Sequence, residues 1–291
     1  MRQLPADLLN KLRNIQRTEV TEYHVYKRLA ESLPAGPNRE LLDRIARDEA
    51  AHAELWKQYT GEQPRPNSLR VLWHVVIGRT LGLAFSLKLM ERGEKRAEQN
   101  YHDLREFVPE VEKVAKEEDN HENELLGLIN EERLQYTGSM VLGLNDALVE
   151  LTGALAGFTL ALRNTRLIAL TGLVTGIAAA LSMASSEYLS TRAEQTDKSP
   201  LKASVYTGIA YLLTVGVLIS PHLILTNYFV CLASTLALAL LIIAAFNYYI
   251  CVARDLPFRR RFIEMSCLSF GVAAFSFLLG FVMREVLGVS V

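Results

Sequence analysis

Glu49-Ala50-Ala51-His52 and Glu118-Asp119-Asn120-His121 are two copies of one motif, Glu-x-x-His, in the first half of this 291-residue chain. Each copy follows a pair of glutamates with the same spacing: Glu19 and Glu22 before the first, Glu91 and Glu94 before the second. On an α-helix, residues three positions apart lie on the same face. The repeat therefore predicts four helices, each of which presents metal-binding side chains from one face.

Packing these four helices side by side would bring six ligands to one point. They are Glu19, Glu49, His52, Glu91, Glu118 and His121. This is the ligand set of a carboxylate-bridged di-iron or di-manganese four-helix bundle of the ferritin-like type. We therefore expect two metal ions per chain, iron or manganese. For Glu22 and Glu94 two roles stay open, as further ligands or as carboxylates that orient the histidines.

Prolines and glycines divide the first half of the chain into helices. The pattern predicts helices over 5–32 and 38–59 and a fourth that starts near Pro109. Counting back from Glu91 places the start of the third near Arg79, with 62–78 as the long crossover of such a bundle. A second interpretation of the apolar segment 71–85 is that it docks onto a partner subunit or the membrane surface.

From Ser139 onward the chain is almost continuously apolar, which the overall net charge of −1 conceals. A helix needs about 20 apolar residues to cross a bilayer. Five stretches meet this length: 139–162, 167–190, 203–220, 223–250 and 265–287. The loops between them include Ser220-Pro221-His222 and residues 254–261. The sequence thus predicts an all-α protein, with a ferritin-like di-iron domain at 1–135 and a five-span domain at 136–291.

The distribution of Lys and Arg predicts the orientation in the membrane. No secretory signal is evident at the N-terminus, so we expect the first span to act as its own insertion signal. If the N-terminal domain is cytoplasmic, the loops 191–202 and 254–261 are cytoplasmic too and contain seven Lys and Arg residues, against three on the outer side. The positive-inside rule favours this arrangement. We expect a multi-pass protein of the cell membrane with a cytoplasmic N-terminal domain.

Acidic residues inside the predicted spans indicate an ion path. Asp146 and Glu150 share one face of the first span, and Met183 and Glu187 share a face of the second. Charged side chains are costly in hydrocarbon and by default mark a pathway for ions. The second pair lies in a run of small residues, 178–188, which lets helices approach closely. These four residues are the predicted ion path.

The stretches 143–150 and 172–194 resemble the first two spans of the vacuolar iron transporter family. The front half is similar to the ferritin-like domain fused to prokaryotic members, sometimes called membrane-bound ferritins. The resemblance implies export of ferrous iron, sometimes manganese, from the cytoplasm in exchange for protons, by a dimer whose first spans line the path. Asp146 and Met183 match the intramembrane Asp and Met of that path.

One feature departs from the family. Plant members carry a metal-binding helical hairpin between spans two and three, and the corresponding segment here, 191–202, is too short for one. We expect the N-terminal bundle to capture metal instead. Ferrous iron, protons, the lipid bilayer and a second copy of the chain are the expected partners, and nucleic acid is not.

Two other functions stay open at this point. The chain could be a membrane-anchored di-iron oxidase or peroxidase, although an anchor needs neither five spans nor buried acidic residues. The bundle could also be a sensor that gates the transporter. Nothing in the sequence separates capture, sensing and ferroxidase activity.

Overall fold

The structure, a computed structural model, describes residues 5–94, 104–105, 107–127, 136–194, 198–254 and 256–287. These residues form ten α-helices and contain no β-strand. The chain divides into two compact units: the N-terminal unit, residues 1–131, and the membrane unit, residues 132–291.

Five helices form the described part of the N-terminal unit: α1 (Ala6–Glu31), α2 (Pro37–Thr60), α3 (Ser68–Thr80), α4 (Leu83–Glu94) and α5 (Val111–Gly127). Pro37 occupies the first turn of α2, where its missing N–H costs nothing. Gly61 ends α2 in the left-handed conformation, with φ 67°. The predicted bounds of the first two helices and the predicted start of the fourth are confirmed to within two residues.

The segment before the third predicted helix differs from expectation. Residues 68–80 form α3, which begins after Asn67, whose side-chain oxygen accepts a hydrogen bond from the Arg70 N–H at 3.1 Å. The chain then breaks at Gly82, with φ 110°, and α4 begins at Leu83. The predicted start near Arg79 is therefore wrong. The apolar pattern runs through this break, and the break depends on the positive φ that Gly82 allows.

The core of the N-terminal unit joins α3 and α4 to the first two helices. Val25 and Leu29 of α1 pack with Leu42 and Ile45 of α2 and with residues of α3 and α4. Gly78 makes the contact between α3 and α1 close, because a Cβ there would lie 2.5 Å from the Leu29 Cδ2. The position and orientation of α3 are thus determined by packing.

The membrane unit contains five helices: α6 (Thr137–Leu162), α7 (Thr165–Ala193), α8 (Pro200–Ile224), α9 (Tyr228–Ala253) and α10 (Phe258–Leu287). All five are long and apolar enough to cross a membrane. The number of predicted spans is confirmed, and the protein is a multi-pass membrane protein.

Two predicted loops are wrong in extent: 220–222 lies wholly within α8, and part of 254–261 belongs to α10. Pro221 and His222 lie in the last turn of α8. Proline removes one N–H from the helix, and the Ser220 hydroxyl compensates by donating to the Val217 carbonyl at 2.8 Å. Arg259, Arg260 and Arg261 likewise belong to the first turn of α10 and not to the preceding loop.

Helix α6 contacts each of the other four helices of the membrane unit. Glycine makes one of these contacts very close: a Cβ at Gly143 would lie 2.3 Å from the Thr207 carbonyl oxygen of α8. The Thr207 hydroxyl in turn donates to the Ser139 carbonyl at 2.9 Å. The helix with the predicted path residues Asp146 and Glu150 is therefore central to this unit.

Candidate metal centre and ion path

Four of the predicted ligands form one cluster in the N-terminal unit. Glu19 of α1, Glu49 and His52 of α2 and Glu118 of α5 each offer a ligand atom within 4.8 Å of the others. Glu19, Glu49 and His52 are buried, and the Glu118 side chain is 25% exposed. The cluster could hold a metal ion.

His121 lies beside this cluster, and two carboxylates face both imidazoles. Glu49 places its Oε2 3.7 Å from the His52 Nδ1 and its Oε1 3.5 Å from the His121 Nδ1. Glu118 places its Oε1 3.0 Å from the His52 Nδ1 and its Oε2 3.8 Å from the His121 Nδ1. A carboxylate between two imidazoles is suited to bridging two metal ions.

The inward-facing atoms fit a metal. Among the described residues, the buried atoms around the centre that make no hydrogen bond include Glu49 Oε2, His52 Nδ1, Glu118 Oε1 and His121 Nδ1. A buried polar atom without a hydrogen bond costs about 1–3 kcal/mol. Coordination to a metal would satisfy all four, and oxygen with imidazole nitrogen is a donor set that first-row divalent ions accept.

The carboxylates and imidazoles of the centre shift each other's pKa values. Burial raises the pKa of Glu49, but the facing imidazoles of His121 and His52 lower it by more, to about 2. Burial lowers the pKa of His121, and the carboxylates of Glu118 and Glu49 reverse this and raise it to about 10. The pKa of His52 is raised for the same reason. Metal binding must therefore displace protons from both imidazoles.

The pKa of Glu19 shifts in the opposite direction to that of Glu49. Burial and the nearby charge of Glu49 raise the pKa of the Glu19 carboxyl well above the usual range. The indole N–H of Trp56 donates to the Glu19 Oε1 at 3.2 Å and so orients the side chain. Trp56 was not among the predicted site residues, although it lies one turn after His52 on the same helical face.

Two further carboxylates orient the histidines. The His121 Nε2 lies 3.2 Å from the Asp48 Oδ2, and the His52 Nε2 lies 3.0 Å from the Glu117 Oε2. Each carboxylate belongs to the residue directly before the glutamate of the opposite motif. The contacts leave Nδ1 of both rings for the metal. Sequence reasoning missed this crossed pair, whose signal is the acidic residue immediately before each Glu-x-x-His.

Of the remaining predicted ligands, Glu22 alone has a side chain within the described residues. Glu22 is buried with its Oε1 3.7 Å from the guanidinium of Arg70, and its role as a ligand stays a prediction. The side chains of Glu91 and Glu94 lie outside the described residues. The described ligands thus come from α1, α2 and α5.

In the membrane unit, Asp146 and Glu150 lie one turn apart on α6 and interact with each other. Asp146 is half-buried, whereas Glu150 is exposed. The hydroxyl of the fully buried Tyr211 on α8 donates to the Glu150 Oε2 at 3.0 Å. Tyr211 thus holds a carboxylate of the predicted path in place, a role the sequence did not indicate.

The other two predicted path residues lie on α7. Glu187 is half-buried and accepts a hydrogen bond of 2.5 Å from the Ser139 hydroxyl of α6. Met183 packs against the buried apolar cluster that contains Ala147 and Tyr211. Met183 therefore packs against the same core as Tyr211, the hydrogen-bond partner of Glu150.

The part of the chain that contains these four residues matches a known protein family. Residues 137–197 match the VIT family. This match and the five apolar helices support the resemblance to the vacuolar iron transporter family. No curated protein and no solved structure matches the chain.

The VIT match covers α6 and α7 and indicates a membrane metal-ion transporter. It does not extend to the N-terminal unit, so the ferritin-like character of that unit stays a prediction. The metal centre there rests on its own geometry.

Proposed function

We propose that the protein exports ferrous iron from the cytoplasm in exchange for protons, with manganese as a second substrate. The observation that carries the proposal is the acidic pair Asp146 and Glu150 on α6, the helix that contacts every other span, within the segment that matches the VIT family. A carboxylate there can alternate between a divalent ion and a proton, which couples opposite fluxes. The thioether of Met183 adds a soft ligand that favours transition metals over magnesium and calcium.

The exposure of the acidic pair supports a homodimer. In one chain Glu150 is exposed and Asp146 is only half-buried, although both lie in a helix that crosses the bilayer. Facing lipid, these carboxylates would be costly. A second copy packed against α6 would enclose them in a polar path between the two chains. The seven Lys and Arg residues of segments 191–202 and 254–261 support a cytoplasmic N-terminal domain, residues 1–135.

In this proposal the N-terminal domain is a ferritin-like four-helix bundle that captures two metal ions. Glu19, Glu49, His52, Glu118 and His121 would hold them, with Glu91 from α4 as the sixth ligand. Iron or manganese bound there would supply a redox-active divalent centre. The chain's own contribution is to orient the imidazoles through Asp48 and Glu117 and to exchange ligand protons for metal.

Proteoliposome transport tests the path. The full chain is reconstituted without oxygen, and ferrous iron uptake is recorded together with the internal pH. We expect Asp146→Asn to abolish both iron and proton flux, because an amide cannot carry a proton in exchange for a cation, and to leave metal content of the N-terminal centre unchanged. The matched control is Glu285→Gln, because Glu285 is an exposed carboxylate near the end of α10. This variant should transport iron at the wild-type rate. Transport by Asp146→Asn at the wild-type rate would contradict the proposal.

Capture by the N-terminal centre has its own test in the same assay. The double variant Glu49→Gln, Glu118→Gln should raise the iron concentration for half-maximal export and leave the maximal rate unchanged, because the path itself is intact. An unchanged concentration dependence would show that the centre does not deliver the exported ions.

A di-iron oxidase is the second candidate function. It is favoured by one observation: all described ligands of the centre belong to the N-terminal unit. Iron-dependent oxygen or peroxide consumption in the Asp146→Asn variant separates the two. If the protein is an oxidase, Asp146→Asn retains full consumption of oxygen or peroxide. The wild-type chain then shows no iron transport.

A further inference from the structure

Helix α3 is apolar on two opposite faces. One face is buried in the N-terminal unit through Val71 and Val75. The other presents a stripe of large apolar side chains at the spacing of one helical face. They are Leu69, Leu72, Trp73 and Val76, which are 80%, 55%, 61% and 46% exposed. A stripe of this kind on a soluble surface indicates an interaction site.

The orientation of this stripe is determined by tight attachment to α1. The Asn67 N–H donates to the Thr21 hydroxyl at 3.1 Å, and Arg70 lies 3.7 Å from Glu22. Gly78 lets the buried face approach Leu29. Because the opposite face is held in the core, α3 cannot turn to bury the stripe within its own unit.

The charged residues of the segment that contains the stripe are all positive. No Asp or Glu occurs between Glu62 and Glu91, a segment that contains Arg65, Arg70 and Arg79. Arg70 and Arg79 project from opposite rims of the stripe, as their positions on the helix require. The surface therefore combines an apolar centre that includes a tryptophan with a cationic rim.

We infer that the exposed face of α3 docks onto the anionic lipid surface of the membrane in which the same chain is inserted. An apolar stripe with Trp and flanking Arg is the composition of helices that lie in the membrane interface. A second copy is the other occupant to consider. A two-fold contact would bring the arginine rims of both copies together, and such like charges repel. The lipid surface meets both the apolar centre and the cationic rim.

The covalent link strengthens this contact. The chain that carries α3 continues into α6, which crosses the bilayer, so the membrane is present at a high effective concentration. Even a weak interaction of α3 with the membrane surface then leaves a large fraction of the molecules docked. Each basic residue near an anionic surface contributes about 1 kcal/mol, a factor of about five in the docking equilibrium.

Trp73 is a natural reporter for the experiment. The chain has two tryptophans, and Trp56 is fully buried. The full chain is placed in nanodiscs of phosphatidylcholine with or without phosphatidylglycerol, and fluorescence is quenched either by aqueous iodide or by brominated lipid. Trp73→Phe supplies the Trp56 background. With phosphatidylglycerol we expect Trp73 to be shielded from iodide and quenched by brominated lipid, and the effect to weaken in high salt.

A charge reversal tests the cationic rim. Arg79→Glu should shift the docking equilibrium at least tenfold toward the undocked state, since an attraction of about fivefold is replaced by a repulsion of similar size. Arg39→Glu, an exposed site on α2, is the matched control and should remain docked. Access of iodide to Trp73 in the anionic discs would overturn the inference. Shielding without quenching by brominated lipid would also overturn it, because protein would then cover the face.

Discussion

Glu49→Gln is the substitution that tests the metal centre most directly. The Glu49 carboxylate is buried and lies 3.7 Å from the His52 Nδ1 and 3.5 Å from the His121 Nδ1. Glutamine has nearly the same size, so the substitution changes the charge and leaves the packing of α2 almost intact. It therefore separates a metal-binding role from a structural one.

The expected loss of metal affinity follows from the negative charge that the substitution removes. Two unit charges about 4 Å apart interact with about 4 kcal/mol at an effective dielectric constant near 20, which is about a thousandfold in affinity. Water that enters the site recovers part of this. We expect Glu49→Gln to weaken metal binding by at least about 100-fold, and Asp48→Asn, which only orients the His121 ring, by about 10- to 100-fold.

The assay is an anaerobic titration of the full chain in nanodiscs with Mn²⁺ and then Fe²⁺, with bound metal counted by mass spectrometry. The wild-type chain should bind two ions, and Glu49→Gln should bind fewer and more weakly than Asp48→Asn. Glu54→Gln is the matched control, because Glu54 is an exposed carboxylate on α2 paired with Lys57 at 2.8 Å. Urea unfolding followed by Trp56 fluorescence verifies that each variant is folded.

Two results would refute the reasoning. Equal metal content and affinity in Glu49→Gln and the wild type would place the metal site elsewhere. A larger loss in Asp48→Asn than in Glu49→Gln would mean that Asp48, and not Glu49, is the ligand.

Three further predictions concern other contacts. Tyr211→Phe removes the hydrogen bond to Glu150 and should slow iron transport several-fold in proteoliposomes without altering insertion; an unchanged rate would contradict a role for this contact. Gly143→Ala should destabilise the membrane unit by about 1–3 kcal/mol in thermal unfolding, because the added Cβ would meet a carbonyl of α8. The control Gly216→Ala has open space around the added Cβ and should not destabilise the unit. Equal melting temperatures of the two variants would show that the helices can separate freely. Burial, with Arg70 as a secondary cause, lowers the pKa of His74 to about 4. The unfolded state therefore binds more protons than the folded state between pH 6.5 and 4, and the free energy of unfolding falls as the pH falls through this window. In urea unfolding we expect a loss of about 2 kcal/mol from pH 7 to pH 5. His74→Gln should abolish this part of the pH dependence, and an unchanged slope would show that His74 does not contribute.

Much of the fold could be predicted because it depends on local patterns. Helix α2 begins at Pro37 and ends at Thr60, directly before Gly61, and Pro37 and Gly61 act through their own backbone conformation. The five spans follow from length and apolarity, which each segment carries by itself. The extension of α8 through Pro221 was not predicted, because it depends on compensation by the Ser220 hydroxyl.

The metal centre was predicted in part for the same reason. The three-residue spacing of Glu49 and His52 places both on one helical face whatever that helix packs against. The crossed contacts of Asp48 with His121 and of Glu117 with His52 join residues far apart in the chain. Such contacts require the relative rotation of α2 and α5, which no local pattern contains.

By itself the sequence determined the helical class, the five spans and the residues able to bind metal, because helical periodicity and hydrophobicity act over a few neighbouring positions. Only the tertiary structure decided which nitrogen of each histidine faces the centre, that Tyr211 holds Glu150, and which face of α3 stays exposed. These features depend on how separate helices pack, and packing is set by close contacts such as that of Gly78 with Leu29. The physical reason is that an interaction between distant segments exists only once the chain has brought them together.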